Sequence, residues 1–65
     1  MRVDRMKLAA ELVRKDLTQA ELAKIAGVSR VTISNVKNGK SCSDTVGFKI
    51  AKALGVDVKE ILEEV

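Results

Sequence analysis

Apolar residues recur at spacings of three and four along nearly the whole chain, and small polar residues cut that rhythm into five blocks. In the first block Met6, Ala9, Ala10 and Val13 form the stripe, with Leu8 and Leu12 beside it. This predicts a helix from Asp4 to Lys15, with Asp4 able to cap it, that stops near Asp16, and Leu17 turns inward from the connector. Thr18 opens the second block. Its hydroxyl can accept from the first free amides of a helix, and Glu21 can reach back to the Thr18 amide, a capping box. Leu17 and Leu22 fit a hydrophobic staple across that start. Leu22, Ala23, Ile25 and Ala26 supply the apolar face, and Gly27 supplies the left-handed residue that ends the helix.

Only Val28 and Ser29 separate Gly27 from the third block, so the turn is tight. Ser29 caps a helix from Arg30 to about Lys37, with Ile33 and Val36 inward, and Asn38-Gly39 stops it. Lys40 to Cys42 form a short loop. Ser43 caps the fourth helix, whose expected buried face is Phe48, Ile50, Ala51 and Leu54 and whose stop is Gly55. Asp57 to Glu60 repeats the capping-box spacing. A last helix is expected to about Glu64, with Val58, Ile61, Leu62 and Val65 on its apolar side. The reading is all-α: one domain over residues 1–65, a compact five-helix bundle. Gly47 falls inside the fourth helix at a cost of roughly 1 kcal/mol relative to Ala, so either another helix packs closely against it or the helix is locally weak; a notch facing a partner is a further reading, after packing within the chain.

Composition narrows this picture. Phe48 is the single aromatic residue, so Leu, Ile, Val and Ala must build the core. The chain has no His and one Cys, which removes the usual zinc ligand sets and any internal disulfide, and Cys42 reads as a half-buried small side chain. No cofactor is expected. No apolar run approaches the ~20 residues of a membrane span, and a cytoplasmic protein is expected. The net charge of +3 is unevenly spread: residues 1–40 carry nine Lys and Arg against four Asp and Glu, residues 41–65 three against five. A basic front and an acidic tail suit one face for a polyanion and another for a different partner.

The second and third blocks carry the chemistry. Two helices cross steeply only where the crossing residue is small, and Ala23 is placed for that. Gly27 makes the turn, while Leu22, Ala26, Val28, Ile33 and Val36 fill the wedge. One face of Arg30 to Lys37 is then left free, a helix suited to the DNA major groove. Arg30 can donate twice to guanine, Asn35 can read adenine, Val31 can touch a thymine methyl, and Ser34 lies between them. Thr18 and Gln19 stand at a helix N-terminus that favours phosphate, and Lys37, Asn38 and Lys40 flank the other end. Hydroxyls are committed to caps and acids are scattered, so nothing assembles a catalytic site.

The run Leu17-Thr-Gln-Ala-Glu-Leu-Ala-Lys-Ile-Ala-Gly-Val-Ser-Arg-Val-Thr-Ile-Ser-Asn-Val-Lys-Asn-Gly39 resembles the Cro/repressor type of helix-turn-helix regulators (lambda-repressor-like, XRE family). The tail Lys49-Ile-Ala-Lys-Ala-Leu-Gly-Val56 resembles it as well, and the likeness spans about residues 6 to 64. It implies a five-helix bundle that binds operator DNA as a dimer. It implies backbone contact at Gln19, base contact at Arg30, Val31 and Asn35, with Ser34 a lesser candidate, and phosphate contact at Asn38. The chain departs from the family where Asp16 replaces a common Gly, in its short loop without Pro, and at Gly47. The expected partner is double-stranded operator DNA bound by a homodimer held through the late helices, with Val56, Val58, Leu62 and Val65 as candidates. Two other readings stay open: a protein-binding helix-turn-helix module, and an antitoxin-like autoregulator.

Overall fold

The computed structural model describes residues 1–64. Its four α-helices are α1 (Arg5–Lys15), α2 (Gln19–Ala26), α3 (Arg30–Lys37) and α4 (Asp44–Leu54), followed by one 3-10 turn, Val58–Glu60. Each element starts at a short polar side chain that accepts from backbone amides otherwise left without partners. Asp4 accepts from Met6 and Lys7, Ser29 from Thr32, Ser43 from Val46 and Asp57 from Lys59. At Thr18 both bonds of the capping box form: the Glu21 amide donates to Oγ1 at 3.1 Å, and the Thr18 amide donates to Glu21 Oε1 at 3.0 Å.

Helix ends follow the same local logic. Gly27 ends α2 with φ 73°, where its amide and that of Val28 both donate to the Ala23 carbonyl. Asp16 ends α1 in the same left-handed region, with φ 55°, the one non-glycine residue at positive φ among the described residues. A side chain there is strained, mildly so for Asp. That is the physical reason a glycine suits the position.

Val3, Leu8, Leu12, Leu22, Ala23, Ile33, Val36, Ile50, Ala51, Leu54 and Ile61 form one core. Each large aliphatic side chain buried here contributes roughly 1.5–3 kcal/mol. α2 packs against both α3 and α4, which puts α2 at the centre of the arrangement.

Three expectations are corrected. Among the described residues there is no fifth α-helix: the chain makes one 3-10 turn, after which Leu62 pairs with Val3 in an isolated antiparallel bridge. The Asp4 amide donates to the Ile61 carbonyl at 2.7 Å, and the Glu63 amide to the Arg2 carbonyl at 3.1 Å. Backbone groups that a last helix would have used are thus taken by the N-terminal segment. Asp57 caps the turn through the Lys59 amide, and no capping box with Glu60 forms. Val65 lies outside the described residues.

Second, α1 is rotated from its expected face. Leu8, Leu12 and the charged Glu11 are buried, whereas Met6 and Val13 are 73% and 80% exposed. Glu11 Oε1 accepts from Arg14 at 2.8 Å, while the buried Oε2 has no partner. Third, Phe48 and Ile25 are more than half exposed, and α4 buries Gly47, Ile50, Ala51 and Leu54 instead. The neighbour against Gly47 is the Met1 side chain and not a helix: a Cβ on Gly47 would collide with Met1 Sδ.

Candidate nucleic-acid interface

α2 and α3 pack against each other. Leu22, Ala23, Ile33 and Val36 are all buried in the shared core, and Val28 packs half-buried at the turn. With Ile33 and Val36 turned inward, positions 31, 34, 35 and 38 share the opposite stripe of α3, since residues three and four apart lie on one helix face.

Arg30 is exposed, Val31 is 68% exposed, and Ser34 and Asn35 are half-buried. An exposed valine on a helix in contact with the core on its other side is a surface with an unused apolar group. Gln19, Arg30, Val31 and Ser34 line one shallow open depression. This brings the N-terminus of α2 beside the outer face of α3. The amides of Gln19 and Ala20 have no acceptor inside the helix, as the first turn of any helix requires. Their partial positive charge therefore faces the same side as the Arg30 guanidinium.

Thr18 is exposed, and its oxygen accepts from the Glu21 amide. The Glu21 carboxylate accepts in return from the Thr18 amide, and hydrogen bonding first from that amide and then from the Thr18 hydroxyl holds it below the ordinary carboxylate range. Asp16, Thr18 and Glu21 line a second depression. Two carboxylates thus border the end of α2 that offers its amides.

Asn38, Lys40 and Lys37 lie at the other end of α3, the first two exposed and Lys37 half-buried. Asn38 does not share the Gln19 depression. It shares a separate one with Arg2, Arg5 and Lys7 from the start of the chain and with Glu63 and Glu64. Arg2 donates to the Gly39 carbonyl at 3.0 Å and pairs with Glu63 at 3.2 Å, and Lys7 pairs with Glu64 at 3.2 Å. These three cations beside the end of α3 were not legible as part of the site, because their partners lie more than thirty residues away.

Cys42 is half-buried in the loop before α4, and its backbone pairs with that of Met1. Burial pushes its thiol up, against a smaller opposing pull from the N-terminal ammonium. Among the described residues, no helix is long and apolar enough to cross a membrane.

α2 packed on α3, a tight glycine turn between them and an outward hydrogen-bonding face on α3 define a helix-turn-helix DNA-binding fold. The chain belongs to the helix-turn-helix family, whose model matches residues 8–61, and is a Cro/CI-like DNA-binding domain of the kind found in transcriptional regulators. It is 41% identical over 54 residues to Repressor protein C of Rhizobium phage 16-3, matching 83% of this chain and 20% of the phage protein. The chain thus spans about a fifth of the length of that relative. It is 49% identical over 47 residues to an uncharacterized HTH-type transcriptional regulator of Methanocaldococcus jannaschii, covering 71% of each. Among solved structures, transcriptional regulator VanUg superposes with a TM-score of 0.83 at 31% identity, over 98% of this chain and 85% of that one.

Proposed function

We propose that this chain is a single domain that reads a specific operator as a homodimer and regulates transcription by occupying it. The observation that carries the reading is the shared depression of Gln19, Arg30, Val31 and Ser34. It supports α3 lying in the major groove while the start of α2 meets the phosphate backbone.

In this reading Arg30, Val31, Ser34 and Asn35 face base edges. Thr18 and Gln19 hold one phosphate strand, and Lys37, Asn38 and Lys40 hold the other end of α3. Phosphate contacts position the helix, and the base-facing side chains specify sequence. One module buries only roughly 600–1,000 Å² on DNA, so a pair gains greatly from effective concentration. Val56, Val58 and Leu62 are half-buried beside the core and are the described candidates for the contact between copies. Val65, the fourth candidate, is beyond the described residues. The phage relative's name, a repressor, supports repression as the outcome.

Selection of bound sequences from random duplex DNA, followed by salt titration of the winner, tests the proposal. The expected product is a pseudopalindrome with half-sites about 34 Å apart and an affinity that falls steeply with salt. Absence of both enrichment and salt dependence would favour the protein-binding module. Enrichment that depends on a co-purified second protein would favour the antitoxin-like autoregulator.

A further inference from the structure

The last third of the chain is net acidic, yet two of its three lysines stand together on one face of α4. Lys49 and Lys52 line an open groove with Ala53 of α4 and with Ile25 and Ala26 of α2. Ile25 is 56% exposed. Phe48, the single aromatic residue, is 55% exposed and sits one turn before Lys52 on the same α4 face. Lys24, beside Ile25 in sequence, is exposed too. Among the described residues neither Lys49 nor Lys52 forms an ion pair, and no carboxylate lines the groove.

We propose that this α2–α4 groove docks an acidic amphipathic segment of a partner protein, with apolar side chains on Ile25 and Ala53, carboxylates on Lys49 and Lys52, and Phe48 touching it from outside the groove, one turn before Lys52. The feature combines an apolar floor with unpaired cations, the complement of a helix carrying apolar anchors at three- and four-residue spacing and acids beside them. A phosphate backbone would use the lysines and leave the isoleucine and the phenylalanine unused.

A second copy of the chain fits poorly. Its acidic stretch, Glu60 to Glu64, has Ile61 buried in the core and Glu63 paired with Arg2. Its other exposed apolar stripe, Met6, Ala10 and Val13, is flanked by Arg5, Arg14 and Lys15, which the groove would repel. The groove shares no lining residue with the depression at Gln19 and Arg30, so docking and DNA binding are separable.

The test uses a fluorescent synthetic peptide of Leu and Glu in helical repeat. A scrambled peptide of the same composition and a Leu–Lys peptide are the controls. Anisotropy should show saturable binding of the Leu–Glu repeat alone, with amide shifts confined to Lys24 to Ala26 and Phe48 to Ala53. The paired change Lys49→Glu and Lys52→Glu should weaken the peptide by about tenfold or more while random-sequence duplex binding changes by no more than about twofold. Phe48→Ser should weaken the peptide with charge unchanged. These side chains are exposed, and matched melting curves check the fold. If charge reversal unfolds the chain, Lys49→Gln with Lys52→Gln replaces it.

Equal binding of the scrambled peptide, or shifts centred on α3, overturns the proposal. So does a loss of duplex binding as large as the loss of peptide, which would make the groove a nucleic-acid surface. Groove shifts that grow with protein concentration alone would make it a contact between copies. A failed peptide assay with intact operator binding removes the docking site and leaves the DNA-reading proposal standing.

Discussion

The helix-turn-helix and the joint between the chain's two ends are held in opposite ways. From Thr18 to Asn38 the caps, the turn and the helix ends use partners three to five residues apart, and only the buried face reaches outward. The joint of Arg2–Asp4 with Ile61–Glu63 consists of bonds spanning nearly the whole chain. A locally specified unit keeps its internal geometry when the rest of the fold weakens, whereas the joint exists only once everything between has folded. The proposed reading surface stands on the first kind of structure, and the cations beside Asn38 are placed by the second.

Changes on each side of that contrast should separate the two. Ile61→Ala, at a fully buried joint residue, should lose about 2–5 kcal/mol of stability in a denaturant titration. Its operator preference, corrected for the folded fraction, should stay the same. Ala23→Leu forces the crossing apart and should destabilise by about 1–3 kcal/mol. It should also weaken every DNA sequence beyond what its folded fraction explains; an unchanged melting temperature would refute the crossing.

Arg30→Ala leaves the core untouched and should cost about 1–3 kcal/mol of operator affinity, relaxing preference at one base position. Gln19→Ala should instead weaken all sequences alike, and a loss restricted to one operator would place Gln19 among the base readers. Thr18→Ala should lower stability by about 0.5–2 kcal/mol through the lost cap. The Thr18 amide, and after it the Thr18 hydroxyl, lowers the Glu21 pKa in the folded state, so what the Glu21 carboxylate adds is full above the ordinary carboxylate range and is lost as pH falls through the folded value. The acid limb of a stability–pH profile should therefore be shallower in Glu21→Gln, which has no carboxylate to titrate, than in the parent. Smallest is Asp16→Gly, which relieves a left-handed side chain and should raise stability by up to about 1 kcal/mol in thermal melts. Removing that carboxylate should also tighten non-specific duplex binding slightly.

The same contrast governs what the sequence disclosed. Asp4, Thr18, Ser29 and Ser43 as caps and Gly27 and Gly55 as stops were legible, because the residue and its partner sit within one turn. Helix rotation was legible only where the buried face was purely apolar. In α1 the charged Glu11 lies on the buried face, so the cleaner-looking stripe of Met6, Ala10 and Val13 pointed the wrong way. In α4 the buried face begins with Gly47, which has no side chain to announce it, and Phe48 drew the eye instead. Val58, Ile61 and Leu62 keep a helical spacing while the backbone beyond Glu60 pairs with Arg2–Asp4. No periodicity encodes a bond to a segment nearly sixty residues away. Among the site residues, the grouping of Gln19 with Arg30, Val31 and Ser34 followed from the turn, and the neighbourhood of Asn38 did not.

The Val3–Leu62 bridge also sets an order of events. In an otherwise unfolded chain, bringing such distant positions together would cost roughly 3–4 kcal/mol of loop entropy, which the local turns never face, so the bridge waits for the segment between to fold. The bridge should close last on folding and open first under thermal fluctuation, so the amides of Asp4 and Glu63 exchange with solvent ahead of those within α2. Arg2 lies in that segment and holds the Gly39 carbonyl. Each brief opening therefore unfastens the peptide just past α3 while α2 and α3 stay packed together, giving the far end of α3 a freedom that its near end lacks.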